Sequence, residues 1–476
     1  MKMRRVHLTV AVLTPLLAAT LGGQVQQQGT VSGRLSPADP RATAITEYLA
    51  ALDAYQTWSW TDGAARANRA FDLDSTFGLA RALRARYRGG PTAAAERLRA
   101  AQDAVRGSTP EAVIALANNS DGAAATALWD VAVKLLPSDS RVAVDRALSF
   151  TGRPRIDALR DVAKKFSDAA APRIWLAYYL TPASYDLPKA DADEALAVAQ
   201  EAVRLAPNST GAHTSLAWVL EKLGREDEAM THLGHATSMA APTEIAFLTR
   251  AEVQEHQGKF AEARASLDSA LLLTENMANR ITFMSDRALT YLHEGNLAAT
   301  LSALDEAGRE ARSRGQAPAE SGVHTTLSIV YAGAGNAKAA TEQIAIARRL
   351  GATPAALADN SVIVYALLKD GPSARRALAN YVEIAANQPP EVRGPNVHRM
   401  TGLTLVAEGK GAEAIDELKQ GSGNPYAQLG LIEAYLQLGK KKEADAERAS
   451  MIARKDFGIA STATPVAKYR GMAVKK

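Results

Sequence analysis

Through the middle of the chain, alanines stand in pairs seven residues apart inside stretches of helical apolar periodicity. DEALAVAQEAVRLAPNST, DEAMTHLGHATSMAAPT and AEARASLDSALLLTEN carry Ala195/Ala202, Ala229/Ala236 and Ala263/Ala270, and the step between successive pairs is 34 residues, twice. Thr300/Ala307 and Ala340/Ala347 continue the series downstream, and Ala125/Ala132 extend it upstream, followed by Pro137 as Ala202 is by Pro207. Before these pairs lies a second periodic stretch closed by glycine: HTSLAWVLEKLG to Gly224, FLTRAEVQEHQG to Gly258, FMSDRALTYLHEG to Gly295 and HTTLSIVYAGAG to Gly335. Glycine there supplies the left-handed residue that closes a helix, and proline after the second stretch prevents its continuation. The pattern therefore predicts a repeated unit of helix, tight turn, helix, turn. Ala217, Ala251 and Ala288 on the first helix, facing the alanine pairs on the second, let the axes approach toward the short end of the roughly 8–10 Å range for packed helices.

This unit resembles the tetratricopeptide repeat, whose 34-residue consensus has small residues at positions 8, 20 and 27, Gly at 15 and Pro at 32. Ala217, Gly224, Ala229 and Ala236 fit one repeat; Ala251, Gly258, Phe260, Ala263 and Ala270 the next; Ala288, Tyr291, Gly295 and Ala307 a third; Tyr331, Gly335, Ala340 and Ala347 a fourth. The pattern returns at Gly402, Gly409 and Ala414, then at Tyr435, Gly439 and Ala444, with a degenerate copy at DNSVIVYALLKDGPSARRALANY between. The resemblance implies an all-α fold, an α-solenoid of stacked antiparallel helix pairs wound into a right-handed superhelix. It also implies recognition of a protein or peptide along the concave face, lined by the first helix of each repeat at positions 2, 5, 9 and 12. Here those positions include Thr214, Trp218 and Glu221; Leu248, Glu252 and Glu255; Ser285 and Leu289; and Thr325 and Ile329. Trp218 stands out as an anchor. The clamp that chaperone-tail-binding members build from Asn at position 6 and Lys at 13 does not recur, since Ser215, Thr249, Asp286 and Thr326 occupy the former and Lys222, His256, His293 and Gly333 the latter.

Composition agrees with the helical reading. Aromatics make up only 5% of the 476 residues, and the apolar content is rich in small and straight-chain helix formers. A basic start (Lys2, Arg4, Arg5), an apolar run from Leu8 to Leu21 and small residues at Gly22 and Gly23 read as a secretory signal. The run is shorter than the roughly 20 residues of a membrane span and is broken by Thr14 and Pro15. Cleavage near Gly23 would lower the formal charge from +4 to +1 and leave no integral membrane span, placing the chain in a periplasm or outside the cell; an uncleaved anchor is the alternative. A nearly neutral chain lacks the basic excess of a nucleic-acid binder, so no nucleic-acid partner is expected. Locally, Arg81 to Arg106 carries seven arginines against Glu96 and Asp103, a solvated ridge or a surface for an acidic partner or anionic lipid. The absence of cysteine excludes disulfides, thiol catalysis and a lipid-modified cysteine.

Candidate chemistry is sparse. Asp72-Leu-Asp-Ser-Thr76 looks like the nucleophile loop of haloacid-dehalogenase-type phosphatases, yet RAFDLDST aligns with EAVRLAPN at a helix end, and no apolar strand precedes it. Gly333-x-Gly335 begins like a dinucleotide fingerprint but has Lys338 where a small residue belongs, and LSIVY shares its repeat phase with the helical LAWVL. His232 and His235 stand one turn apart, too few ligands by themselves for a zinc site. No catalytic residues, no metal and no cofactor are therefore expected. The expected organisation is a signal peptide at 1–23, a flexible linker at 24–40, irregular repeat-like helices at 41–172, the clear array at 173–455 and a basic tail at 456–476. The alternatives are an exported enzyme with a site in the loops around 177–192 or 384–397, and an envelope assembly factor that grips lipid or polysaccharide through the Arg81–Arg106 ridge.

Overall fold

The structure, a computed structural model, describes residues 40–88, 91–104, 108–181, 189–274, 276–386, 390–421 and 424–453. The expected signal segment and tail lie outside these, as does the expected linker except Pro40, which opens the first helix. Among the described residues there are twenty-four helices and no strand. Two units are distinguishable. The first holds α1 (Pro40–Gln56), α2 (Trp60–Leu73), α3 (Gly78–Arg88), α4 (Pro91–Ala104), α5 (Thr109–Asn118), α6 (Gly122–Leu135), α7 (Ser140–Ser149), α8 (Arg153–Lys165), α9 (Ala171–Leu180), α10 (Lys189–Leu205), α11 (Thr210–Lys222) and α12 (Glu226–Ser238). The second holds all but the first turn of α13 (Glu244–His256), then α14 (Phe260–Leu273), α15 (Met277–His293), α16 (Leu297–Ser313), α17 (Ala317–Gly333), α18 (Ala337–Arg349), α19 (Pro354–Leu367), α20 (Gly371–Ala385), α21 (Pro390–Ala407), α22 (Gly411–Gln420), α23 (Pro425–Gln437) and α24 (Lys441–Ala453).

The repeat is built as the alanine spacing predicts. Ala229 and Ala236 on α12 and Ala263 and Ala270 on α14 are wholly buried, as are Ala307, Ala340 and Ala347 on later second helices. Where a side chain stops at Cβ, two helices can touch along their backbones, and any larger residue would push them apart. First helices also pack on first helices, as α15, α17, α19, α21 and α23 do in turn, so the second unit has a continuous first-helix face along these five.

The turn from first to second helix has one recurring geometry. Gly224, Gly258, Gly295, Gly335, Gly409 and Gly439 all have φ between 69° and 78°. The next residue's amide then reaches back five places, as from Arg225 to the Leu220 carbonyl at 2.8 Å. Two non-glycine residues occupy the same slot. Trp58 and Lys369 both have φ 58°, and the amides that follow them bond to Ala54 at 2.8 Å and Tyr365 at 3.0 Å.

In the first unit the Trp58 turn folds onto the first-helix face. The Trp58 ring, 4% exposed, meets Trp175 and Tyr178 of α9 edge-on at 5.5 Å each. Gln56 Nε2 donates to the Arg141 carbonyl at the start of α7 at 2.8 Å. Gly211 of α11 lies so close to the turn that a Cβ there would sit 1.8 Å from the Thr57 carbonyl oxygen. The turn thus touches three first helices beyond its own.

Candidate functional site

The expected contact positions are mostly turned into protein. In the first unit Thr214 is fully buried and donates to the Thr210 carbonyl at 2.7 Å, and Glu221 is buried with Lys222 Nζ 2.9 Å away. Trp218 is half-buried: its indole nitrogen donates to Thr181 Oγ1 at 2.9 Å, Tyr178 lies 5.5 Å from its ring, and the Lys222 ammonium sits 4.4 Å above it. In the second unit Glu255, Ser285, Leu289 and Ile329 are buried, Ser285 donating to the Ile281 carbonyl at 2.9 Å. Leu248, Glu252 and Thr325 are half-buried. Glu252 faces Asp286, one of the position-6 residues. Burial first, and the Glu252 charge second, push the Asp286 carboxyl well above the usual carboxylate range.

A cleft opens further along the second unit, where sequence reasoning placed no contact residue. Its walls are Ile363, Ala366 and Leu367 of α19, Leu403 and Val406 of α21, and Tyr426 and Leu429 of α23; its cavity volume is about 30 Å³, and the rest of the trough is open to solvent. Lys369, with its side chain 72% exposed, reaches from the α19–α20 turn across the intervening pair to Glu433 of α23, at 3.4 Å. The wall residues fall at the same repeat phase as the expected contacts: counted back from Gly409, Leu403 and Val406 are positions 9 and 12, and counted back from Gly439, Tyr426 and Leu429 are positions 2 and 5. The signal was present for α21 and α23, whose Gly409 and Gly439 set the register; only α19, with Lys369 in the glycine slot, left its wall unregistered.

The other motifs resolve into structure. Asp72 lies in the last turn of α2 and Asp74 just past it, where Asp74 accepts Arg41 at 2.6 Å and the Thr76 amide at 2.9 Å; it fastens a turn. LSIVY lies in α17, and Gly335 is the turn after it. Four of the seven arginines of the Arg81–Arg106 ridge are spent inside the unit, and Arg106 lies outside the described residues. Arg81 bonds Asp103 at 3.1 Å, Arg84 pairs with Glu96 at 3.4 Å and lies 3.6 Å over Phe71, Arg86 pairs with Asp145 at 3.3 Å, and Arg88 donates to Asn68 at 3.0 Å. Of the two loops suggested for an enzyme site, the described parts are helical apart from Thr181 and Ala386, which end their helices: 177–180, 189–192, 384–385 and 390–397 lie in α9, α10, α20 and α21. Among the described residues no three His, Asp or Glu side chains converge as a metal-binding group, and no helix is long and apolar enough to cross a membrane.

Helix pairs with buried alanines at the crossing, turned by a left-handed residue and stacked first helix on first helix, settle the architecture. The fold is that of tetratricopeptide-repeat proteins. Similar solved structures include a tetratricopeptide-repeat protein of Parabacteroides merdae (15% identity over 61% of this chain and 98% of that one, TM-score 0.38). Yeast Tom70 is similar at 12% identity over 91% and 96% of the two chains, TM-score 0.41. A thermophilic tetratricopeptide-repeat protein of Thermus thermophilus shares 22% identity over 32% of this chain and 81% of its own, TM-score 0.29. The chain matches no protein-family model and no curated protein.

Proposed function

We propose that this chain is a non-enzymatic scaffold that holds a protein or peptide partner on its first-helix faces, after export through residues 1–23 to a periplasm or the extracellular space. The observation that carries the reading is the cleft between α19, α21 and α23: an apolar trough at the repeat's contact phase, with a charged pair at its mouth. Such a trough suits one bulky apolar side chain of an extended or helical segment, and a few anchors of this kind supply most of the affinity of an interface. Elsewhere on the second unit's first helices, Leu248, Glu252 and Thr325 are the remaining half-buried contact positions, and Trp218 is the proposed contact of the first.

The test is selection of peptides from a display library on the chain beginning at Gln24, followed by binding to Ala366→Phe. Ala366 lines the cleft and is only partly buried, so a phenyl ring there fills the trough with little strain. Loss of about tenfold or more in affinity with unchanged melting supports the site. Selected peptides that bind Ala366→Phe as well as the parent chain place the partner elsewhere. Export is tested separately, by the size and compartment of the chain expressed with residues 1–23 in a bacterial host.

A further inference from the structure

The cleft between α19, α21 and α23 ends at the turns that close these helices. Lys369, which lines it, belongs to the α19–α20 turn, and the carbonyl of Val406, three residues before Gly409, accepts from Gln437 Nε2 at 2.8 Å. Gly411, opening α22, lies so close to α23 that a Cβ there would sit 2.8 Å from the Ala434 carbonyl oxygen and 2.9 Å from the Gln437 side chain. The α21–α22 turn is thus pressed against the last turn of α23, and the α23–α24 turn follows directly. Lys440, in that turn, stands seven residues past Glu433 at the cleft mouth, a helical rise of roughly 10 Å.

The charge along this edge runs against the helices it borders. Second helices begin at these turns, and their first residues meet the positive end of the helix dipole, where acids are favoured. In α12 the first turn carries Glu226, Asp227 and Glu228, and α16, α18 and α20 are capped by the side chains of Asn296, Asn336 and Asp370. In α24, Lys440 holds the N-cap place, its carbonyl accepting the Ala444 amide at 3.1 Å, and Lys441 and Lys442 follow. All three are exposed, and among the described residues no carboxylate pairs with them. Glu413 and Glu443 are the acids in the first turns of α22 and α24. Of the other acids at this edge, Glu433 is engaged by Lys369 at 3.4 Å and Glu408 by Lys410 at 3.0 Å and by Arg375. Three lysines at a helix end that repels them weaken the fold, but they suit an anionic partner.

Resting on the reading of the cleft as a docking site, we infer that its partner is an acidic amphipathic peptide segment: one bulky apolar side chain enters the trough, and Asp or Glu side chains lie along the turn from Lys440 to Lys442. At about 3.3 Å per residue, an extended segment spans the roughly 10 Å between the two in three or four residues. Residues 454–476 carry six Lys and Arg against Asp456, the wrong sign for this edge, so charge speaks against the chain's own end as the occupant.

The experiment selects peptides from a display library on the chain beginning at Gln24, in about 50 mM salt, where exposed charges act over about 10 Å or more. Clones that lose binding to Ala366→Phe are kept. These should carry Asp or Glu within about four residues of an apolar anchor more often than the input library. As synthetic peptides, the best of them should weaken about tenfold in about 500 mM salt, and about tenfold against the triple variant Lys440→Ser, Lys441→Ser, Lys442→Ser. The triple variant should melt no lower than the parent, because it removes cations from a helix N-terminus and puts a capping residue at 440; a lower melt would make the lysines structural and overturn the argument. Cleft-dependent clones without acidic enrichment, or ones that bind the triple variant as well as the parent, overturn the acidic partner and leave the cleft standing. Clones rich in Lys and Arg overturn it in favour of the chain's own basic end. If every clone ignores Ala366→Phe, the cleft reading falls and this inference with it.

Discussion

The same backbone slot, the left-handed residue between first and second helix, is filled by tryptophan in the first unit and by lysine in the second. Glycine would be cheaper at both, since a residue with a Cβ pays roughly 1–2 kcal/mol to sit there. What each side chain does with the position differs. Trp58 turns into its own unit, packs edge-on against Trp175 and Tyr178, and ties the first turn to helices more than a hundred residues later. Lys369 points outward, with its ammonium at the mouth of an apolar cleft. A self-filled face is stabilised by what it has swallowed, whereas an open one keeps room for something else. The contrast makes stability a first-unit property at this slot and recognition a second-unit one.

The largest effect expected from breaking the contrast is in Trp58. Replacing a buried tryptophan by a small residue costs about 3–5 kcal/mol. Trp58→Gly is the sharper form, because it removes the ring while relieving the backbone; a large fall in melting temperature despite that relief is expected, with binding to display-selected peptides intact in whatever remains folded. If Trp58→Gly melts like the parent, the ring holds nothing together and the comparison fails. Gly211 probes the same contact from the other side. Its Cβ would collide with a backbone carbonyl, which cannot swing away as a side chain could. Gly211→Ala should therefore destabilise by about 1–3 kcal/mol, whereas alanine at a helix interior position is usually favourable by roughly 1 kcal/mol. Thermal melts of the pair decide it.

How much of this could be read beforehand follows the same division. Helix pairs, their turns and the alanine crossings were legible because periodicity and Gly/Pro punctuation are local, and burial at Ala229 or Ala263 follows from phase alone. Solvent access was not. Thr214, Glu221 and Leu289 hold the contact phase of the repeat yet are buried, because first helices stack closely and a neighbour's side chains cover positions that a single repeat would leave open. The packing of Trp58 on α9 was invisible for a different reason: contact across so long a sequence separation leaves no trace in spacing. The cleft was missed because it forms only where three first helices meet, and one of them, α19 running to Lys369, had lost its register.

Buried charge gives the next contrast. In the first unit Asp145 is buried beside Arg86, which is itself held 3.9 Å over the Tyr55 ring. In the second, Asp286 lies beside another acid, Glu252, and its carboxyl is pushed up. A carboxyl whose folded pKa exceeds its unfolded value favours the fold below the ordinary carboxyl range and loses that contribution as pH rises through the raised value. At neutral pH, then, Asp286 opposes folding. Asp286→Asn should raise the melting temperature near pH 7, and the gain should vanish by about pH 3, where the unfolded carboxyl is also protonated. Asp145→Asn should do the reverse near pH 7, because it leaves Arg86 without its acid. Equal shifts for Asp286→Asn at both pH values would mean that packing, not charge, is responsible.

The smallest effect is at Lys369 itself, and it separates the two roles most cleanly. Lys369→Gly removes a left-handed cost of roughly 1–2 kcal/mol. It forfeits the pair with Glu433, which is worth about 0.2–1 kcal/mol with so exposed a lysine, and it frees the unfolded chain at a cost of about 0.4–1 kcal/mol. The midpoints of these ranges leave a balance of only about 0.2 kcal/mol, so the denaturant midpoint should hardly move, with an unchanged slope. A lysine kept where glycine would serve as well is then explained by what its ammonium does at the cleft, and the same variant should bind cleft-directed peptides more weakly than the parent. A fall of more than about 1 kcal/mol would show instead that the reach to Glu433 braces α19 against α23. The slot would then be structural in both units, and the contrast between them would reduce to the direction in which one side chain points.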